Sequence, residues 1–200
     1  MKSALFASAL ALMPLMAPVS ASAGEAWVLD ASHSQIVFTY NHLGYSTTAG
    51  MFSGFEGEIM FDKEDPANST VAVSMPVKSM FTGWEARDAH FMSGDFFGAE
   101  DGDLVTFTST SIEVTGDDTA LITCDRTMND ITQSVVLDAK LNGTGPFPFG
   151  PKQGTDWAGF DATTTIKRSD FGVGAFAPAV SDEVEVRISI EASKATDSQS

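Results

Sequence analysis

Towards the C-terminus, Val184, Val186, Ile188 and Ile190 alternate with Glu183, Glu185, Arg187, Ser189 and Glu191. Successive side chains of an extended chain point to opposite faces, so a period of two predicts a strand with one buried face and one wet face. The pattern recurs in Ile131, Gln133, Val135, Leu137, Ala139 and Leu141, and again in Val71, Val73, Met75 and Val77. Residues 35–42, 50–62, 103–114, 119–128 and 157–168 bring the total to eight strands. Short turn signals separate many of them: Asp65-Pro66-Ala67-Asn68, Gly116-Asp117-Asp118, and Asn129-Asp130, which fits a two-residue hairpin loop. Strands joined this tightly are antiparallel neighbours. A sheet with one apolar face must pack on a second sheet or close on itself, and closure also removes aggregation-prone edges. Periodicity alone leaves sandwich and barrel both open.

Two segments break the pattern. Over residues 79–98, Thr82 and Glu85 have capping-box spacing, Trp84, Arg87, Asp88 and Phe91 share one helical face, and Gly94 suits a helix stop. This predicts a short helix over 83–92. Its neighbours Trp84, Phe91, Phe96 and Phe97 need burial, for which the end of a barrel offers a place, as a plug or lid. The stretch 143–151, with Pro146, Pro148 and Pro151, reads as a long loop. Its Phe147 and Phe149 either form an apolar lip or fold back on the barrel.

Residues 1–23 read as a secretory leader: Lys2, an apolar run from Ala4 to Met16, then Ser20-Ala21-Ser22-Ala23. Cleavage after Ala23 would leave a domain over 24–195 and a flexible tail over 196–200, in a soluble periplasmic or secreted protein without stable membrane insertion. The net charge of −16 sets this chain apart from nucleic-acid binders, which need clustered Lys and Arg. The lone Cys124 precludes an intramolecular disulfide. It alternates with Ile122 and reads as a small buried hydrophobe.

Asp30-Ala31-Ser32-His33-Ser34, His42-Leu43-Gly44, Gly50-Met51-Phe52 and Gly57-Glu58-Ile59-Met60-Phe61-Asp62 stand in an order that resembles the opening of the YceI-like lipid and polyisoprenoid-binding family. Ser79-Met80-Phe81-Thr82, Arg87-Asp88-Ala89-His90, Asp95-Phe96-Phe97, Thr106-Phe107-Thr108-Ser109-Thr110, Arg168-Ser169-Asp170-Phe171-Gly172 and Asp182-Glu183-Val184 continue it, from Gly24 to about Ala192. The resemblance implies a lipocalin-like antiparallel eight-stranded β-barrel, all-β with a short helix between strands. It also implies an apolar channel that takes a polyprenyl chain, an isoprenoid quinone or a fatty-acid derivative. The chain departs from the family at Cys124 and Arg126, where a glycine and a leucine are usual, and at Asp130, usually glycine. Arg126 shares the parity of Ile122 and Cys124, and an inward Arg126 would make the channel partly polar or closed.

Parity and motifs together select Ile36, Phe38, Tyr40, Phe52, Phe55, Ile59, Phe91, Phe96, Phe97, Phe160 and Phe171 as channel lining. His33, His42, Arg87, Asp88, His90 and Arg168 are candidates for a head-group or lid site. An acid stands beside each arginine, Asp88 by Arg87 and Asp170 near Arg168, which favours ion pairs over phosphate binding. The histidine spacings match no zinc signature, and local hydrogen bonds, Asp30 to His33 among them, are the expectation instead. His33 and Ser34 are adjacent, and so point to opposite faces of a strand. There is no nucleophile elbow and no HExxH. The expectation is therefore a lipid-holding protein that performs no chemistry, with no metal or cofactor, loaded through the end carrying the 79–98 segment. Homodimerisation stays open. The alternative is an interaction or stress-response barrel filled by its own side chains.

Overall fold

The computed structural model describes residues 24–195. The expected leader over 1–23 and tail over 196–200 lie outside the described residues. Ten strands follow one another as β1 (Glu25–Leu29), β2 (Gln35–His42), β3 (Ser46–Phe52), β4 (Glu56–Phe61), β5 (Thr70–Pro76), β6 (Leu104–Val114), β7 (Thr119–Met128), β8 (Ile131–Pro146), β9 (Asp156–Lys167) and β10 (Glu183–Lys194). All pair antiparallel with their sheet neighbours, and β1 pairs with both β4 and β10, which closes the sheet.

Ten strands make eight staves. β10 carries β2 along its first half, Glu185 opposite Thr39, and β1 along its last residues, Ala192 opposite Leu29. β1 and β2 are thus two pieces of one stave, parted at Asp30–Ser34. β3 pairs with β2, and β4 with β1, so they form the next stave, parted at Ser53–Phe55. The expected single strand over 50–62 is therefore two, and β1 is an addition to the expected set. The break has a physical cause. Phe52 and Phe55 both face inward although three residues apart, which an unbroken strand cannot achieve, and Gly54 at φ 69 turns the chain between them.

The β7–β8 turn has the form expected of it: Asn129 and Asp130 take φ 54 and 58, the left-handed pair of a type I′ loop, with Met128 opposite Ile131. The 143–151 stretch is corrected in its first half. Past a bulge between Leu141 and Gly143, β8 continues to Pro146 opposite Asp156. β7 begins at Thr119, opposite Lys140, so the far edge of β8 has no strand neighbour there and a proline costs little.

One helix, α1 (Glu85–Met92), lies between β5 and β6. The capping box does not form: Trp84 occupies the N-cap, without a side-chain cap bond. Thr82 instead donates through its backbone N–H and its hydroxyl to Asp88 Oδ1. The helix ends at Ser93 rather than Gly94, with the Ser93 N–H donating to the His90 carbonyl at 3.1 Å. Trp84 is 63% exposed, contrary to the burial expected of it. Phe91, Phe96 and Tyr40 do pack together, Phe91 lying 5.0 Å and 6.1 Å from the other two ring centroids.

Candidate functional site

The inward faces of the staves enclose a cavity of about 260 Å³ that runs along the barrel. Its wall is almost wholly apolar, built from the alternating positions of β5, β7, β8, β9 and β10. Of the residues selected for lining, Ile36, Phe38, Tyr40, Phe52, Phe55, Ile59, Phe91, Phe96, Phe97 and Phe160 border it. Phe171 does not. It is buried in the one-turn helix after β9, a segment without strand parity. Phe107 and Ile112 also line the cavity, though parity along β6 fails to connect them. A bulge at Ser109–Ser111 switches the inward set partway, from Val105 and Phe107 to Ile112 and Val114.

The two ends differ. At the α1 end the interior is packed: Tyr40, Phe52, Phe55, Met80 and Val173 belong to one buried cluster, with Phe91 and Phe97 packed against it and Phe96 also buried. At the opposite end the cavity reaches Pro66, Ser69 and the Gly116–Thr119 tip between β6 and β7, with Asp117, Asp118 and Lys140 at the rim. The side chains at the α1 end cover it while also lining the cavity, and Asp117 and Asp118 at the opposite end are exposed.

The charged candidates do not form the expected ion pairs. Arg87 donates from Nε to the Thr82 hydroxyl at 2.7 Å and from Nη2 to the Thr82 carbonyl at 2.6 Å. Asp88, two bonds received from Thr82, ties α1 to the segment before it. Arg168 gives its donors to the carbonyls of Ser181 at 2.9 Å, Val173 at 2.7 Å, Ala175 at 3.3 Å and Val180 at 3.0 Å. It borders the cavity but knits two loops together, and burial lowers its pKa. Asp182, not Asp170, is its charged neighbour, receiving Ser169 N–H at 2.8 Å.

The histidines do not converge. His33 Nδ1 lies 2.9 Å from Asp30 Oδ2, as expected. Burial acts to raise the Asp30 pKa, but hydrogen bonds from Ser32 and His33 outweigh it and hold the carboxyl well below the usual range. The bond to Asp30 raises the His33 pKa in return. Glu191 stands close enough that the ligand atoms of Asp30, His33 and Glu191 lie within 4.8 Å of one another. These groups are already engaged, Asp30 also by Lys152 Nζ at 3.5 Å and Glu191 by Trp157 Nε1 at 2.8 Å. His90 Nε2 pairs with Asp95 at 2.9 Å rather than with a backbone group, and His42 is exposed at the end of β2. None of the three histidines borders the cavity.

Arg126 does face inward, on the cavity wall. Its guanidinium lies 5.2 Å from the Phe171 ring centroid, and its Nη2 is 3.4 Å from Met128 Sδ. Cys124 is fully buried, and burial with Asp125 alongside pushes its thiol up to about 12, the behaviour of an inert core residue. Outside the barrel, Phe147 folds back on Trp157 at 4.6 Å, while Phe149 is 68% exposed. No described helix is long and apolar enough to cross a membrane.

A family model described as a YceI-like domain matches residues 27–192. Among relatives, Protein YceI of Escherichia coli is 39% identical over 176 residues, covering 85% of this chain and 90% of that protein. Among solved structures, Burkholderia cenocepacia BcnA superposes with a TM-score of 0.72 at 23% identity, over 84% of this chain and 99% of its own. A polyisoprenoid binding domain from Saccharophagus degradans, implicated in plant cell wall breakdown, gives a TM-score of 0.62 at 14% identity, over 86% and 99%. At these identities the two structures speak to the fold.

Proposed function

The chain belongs to the YceI-like family, and from that premise we propose that it is an exported protein that holds an elongated lipid inside the barrel without altering it. An isoprenoid, a quinone or a fatty-acid-like chain fits the reading. The observation that carries it is the apolar cavity running from the α1 end to the β6–β7 tip. A guest that buries about 20 methylene-sized units gains roughly 16 kcal/mol gross. Docking and ordering a flexible tail remove much of that, and what is left still supports useful affinity. Holding such a guest asks for no nucleophile and no metal. The binding described for the Saccharophagus degradans domain, which shares the fold, adds support.

Native mass spectrometry of gently purified protein tests the reading. The expected result is added lipid mass that organic solvent removes and that returns when polyprenyl or quinone ligand is supplied. Protein that is uniformly ligand-free and refuses both would overturn it, and would favour the filled interaction barrel, for which the packed α1 end is the observation in hand.

A further inference from the structure

Arg168 and Arg126 both border the cavity, yet their circumstances are opposite. Arg168 is saturated by backbone carbonyls. Arg126 has a thioether and an aromatic face for company and, among the described residues, forms no ion pair. A guanidinium on an apolar wall whose side-chain acceptor is only the weak Met128 thioether is costly, so an arginine held there has a use for its remaining donors. Resting on the lipid-holding reading above, we propose that Arg126 anchors the head of a long-chain carboxylate inside the tunnel.

Position gives the ligand a direction. Arg126 lies near the α1 end: its neighbour Thr127 pairs with Thr106, two residues into β6. From there to Thr119 at the β6–β7 tip is about 23 Å of strand at roughly 3.3 Å per residue, room for the tail. The head therefore sits deep and the tail points towards the β6–β7 tip. Charge selects the head. Burial lowers the Arg126 pKa to about 10, which still leaves one positive charge at neutral pH. One singly charged carboxylate matches it, and the planar fork can bind both oxygens. A diphosphate would bring surplus negative charge into an apolar tunnel, and a neutral polyprenyl would leave the guanidinium without an acceptor. The chain's net charge of −16 also disfavours anions in general, so retention of one requires a specific contact.

The test uses delipidated full-length mature protein and a neutral fluorophore displaced by hexadecanoate, hexadecanol or hexadecyl phosphate. Wild-type protein should prefer hexadecanoate to hexadecanol by about 10- to 100-fold, the range for a hydrogen-bonded charge. Arg126→Met should bring that ratio to near unity, with a circular-dichroism spectrum matching the wild type showing that the variant is folded. Arg126→Gln serves as a second uncharged variant. Equal binding of acid and alcohol by the wild type, or a preference that survives both substitutions, would overturn the anchor while leaving lipid holding intact. Tighter, Arg126-dependent binding of hexadecyl phosphate would replace the carboxylate by a phosphate head. Failure of all three probes would sink the lipid-holding reading and the anchor with it.

Discussion

Replacing Arg126 by Met should make the empty protein more stable. The folded barrel lowers the Arg126 pKa from 12.5 to about 10 through burial, which corresponds to about 3 kcal/mol of disfavoured charge. The group is a base whose folded pKa is depressed, so this cost is present in full below about pH 10 and fades as the pH rises towards the unfolded value. Methionine removes the charge and keeps an unbranched side chain for the same space. The contact between guanidinium and Phe171 is lost at the same time, offsetting about 1 kcal/mol. The net gain is about 2 kcal/mol, or a melting-temperature rise of about 4–8 °C for a domain of this size. Thermal unfolding followed by circular dichroism measures it, on delipidated protein because bound lipid adds its own stabilisation. A variant that melts at or below the wild-type temperature would refute the picture of an under-compensated buried charge.

Two further outcomes follow from the same physics. Asp130→Gly should stabilise the protein by up to about 1 kcal/mol, read from urea unfolding, because Asp130 holds φ 58 at a type I′ position that glycine takes without strain. Asp30→Asn should cost about 1–3 kcal/mol at neutral pH. The folded pKa of Asp30 is lowered, so its contribution is present above the ordinary carboxylate value and is lost as the pH falls through the folded one. Wild type and variant should therefore converge in strongly acid solution. The His33 pKa is raised, so its share of the pair is present below about 6.5 and is lost as the pH rises through its folded value.

The elements legible in the sequence are those fixed by local forces. β10 and the β7–β8 hairpin are legible because alternation and turn chemistry are properties of neighbouring residues. β1 escapes because five residues, Glu25–Leu29, are too few to show a period, and they become a strand through pairing with β4 and β10. The break between β3 and β4 did leave a signal in the odd spacing of Phe52 and Phe55 around Gly54. Parity also turned Arg126 inward, but whether an acid would meet it there depends on strands far away in sequence. The same limit applies to Arg168, whose acceptors come from loops up to 13 residues on. Phe171 failed as a lining residue because a helical turn follows β9 and carries no alternation to read.

Lipid holding requires a hollow interior that accepts a chain-like guest. A crystal structure of the protein saturated with hexadecanoate tests this most directly. The expected result is one elongated feature of density along the axis, flanked by Ile188, Leu137 and Phe38, with its head at Arg126 and its tail towards Asp117. Side chains closed over that space, with the added lipid absent or lying on the outer surface, would contradict it.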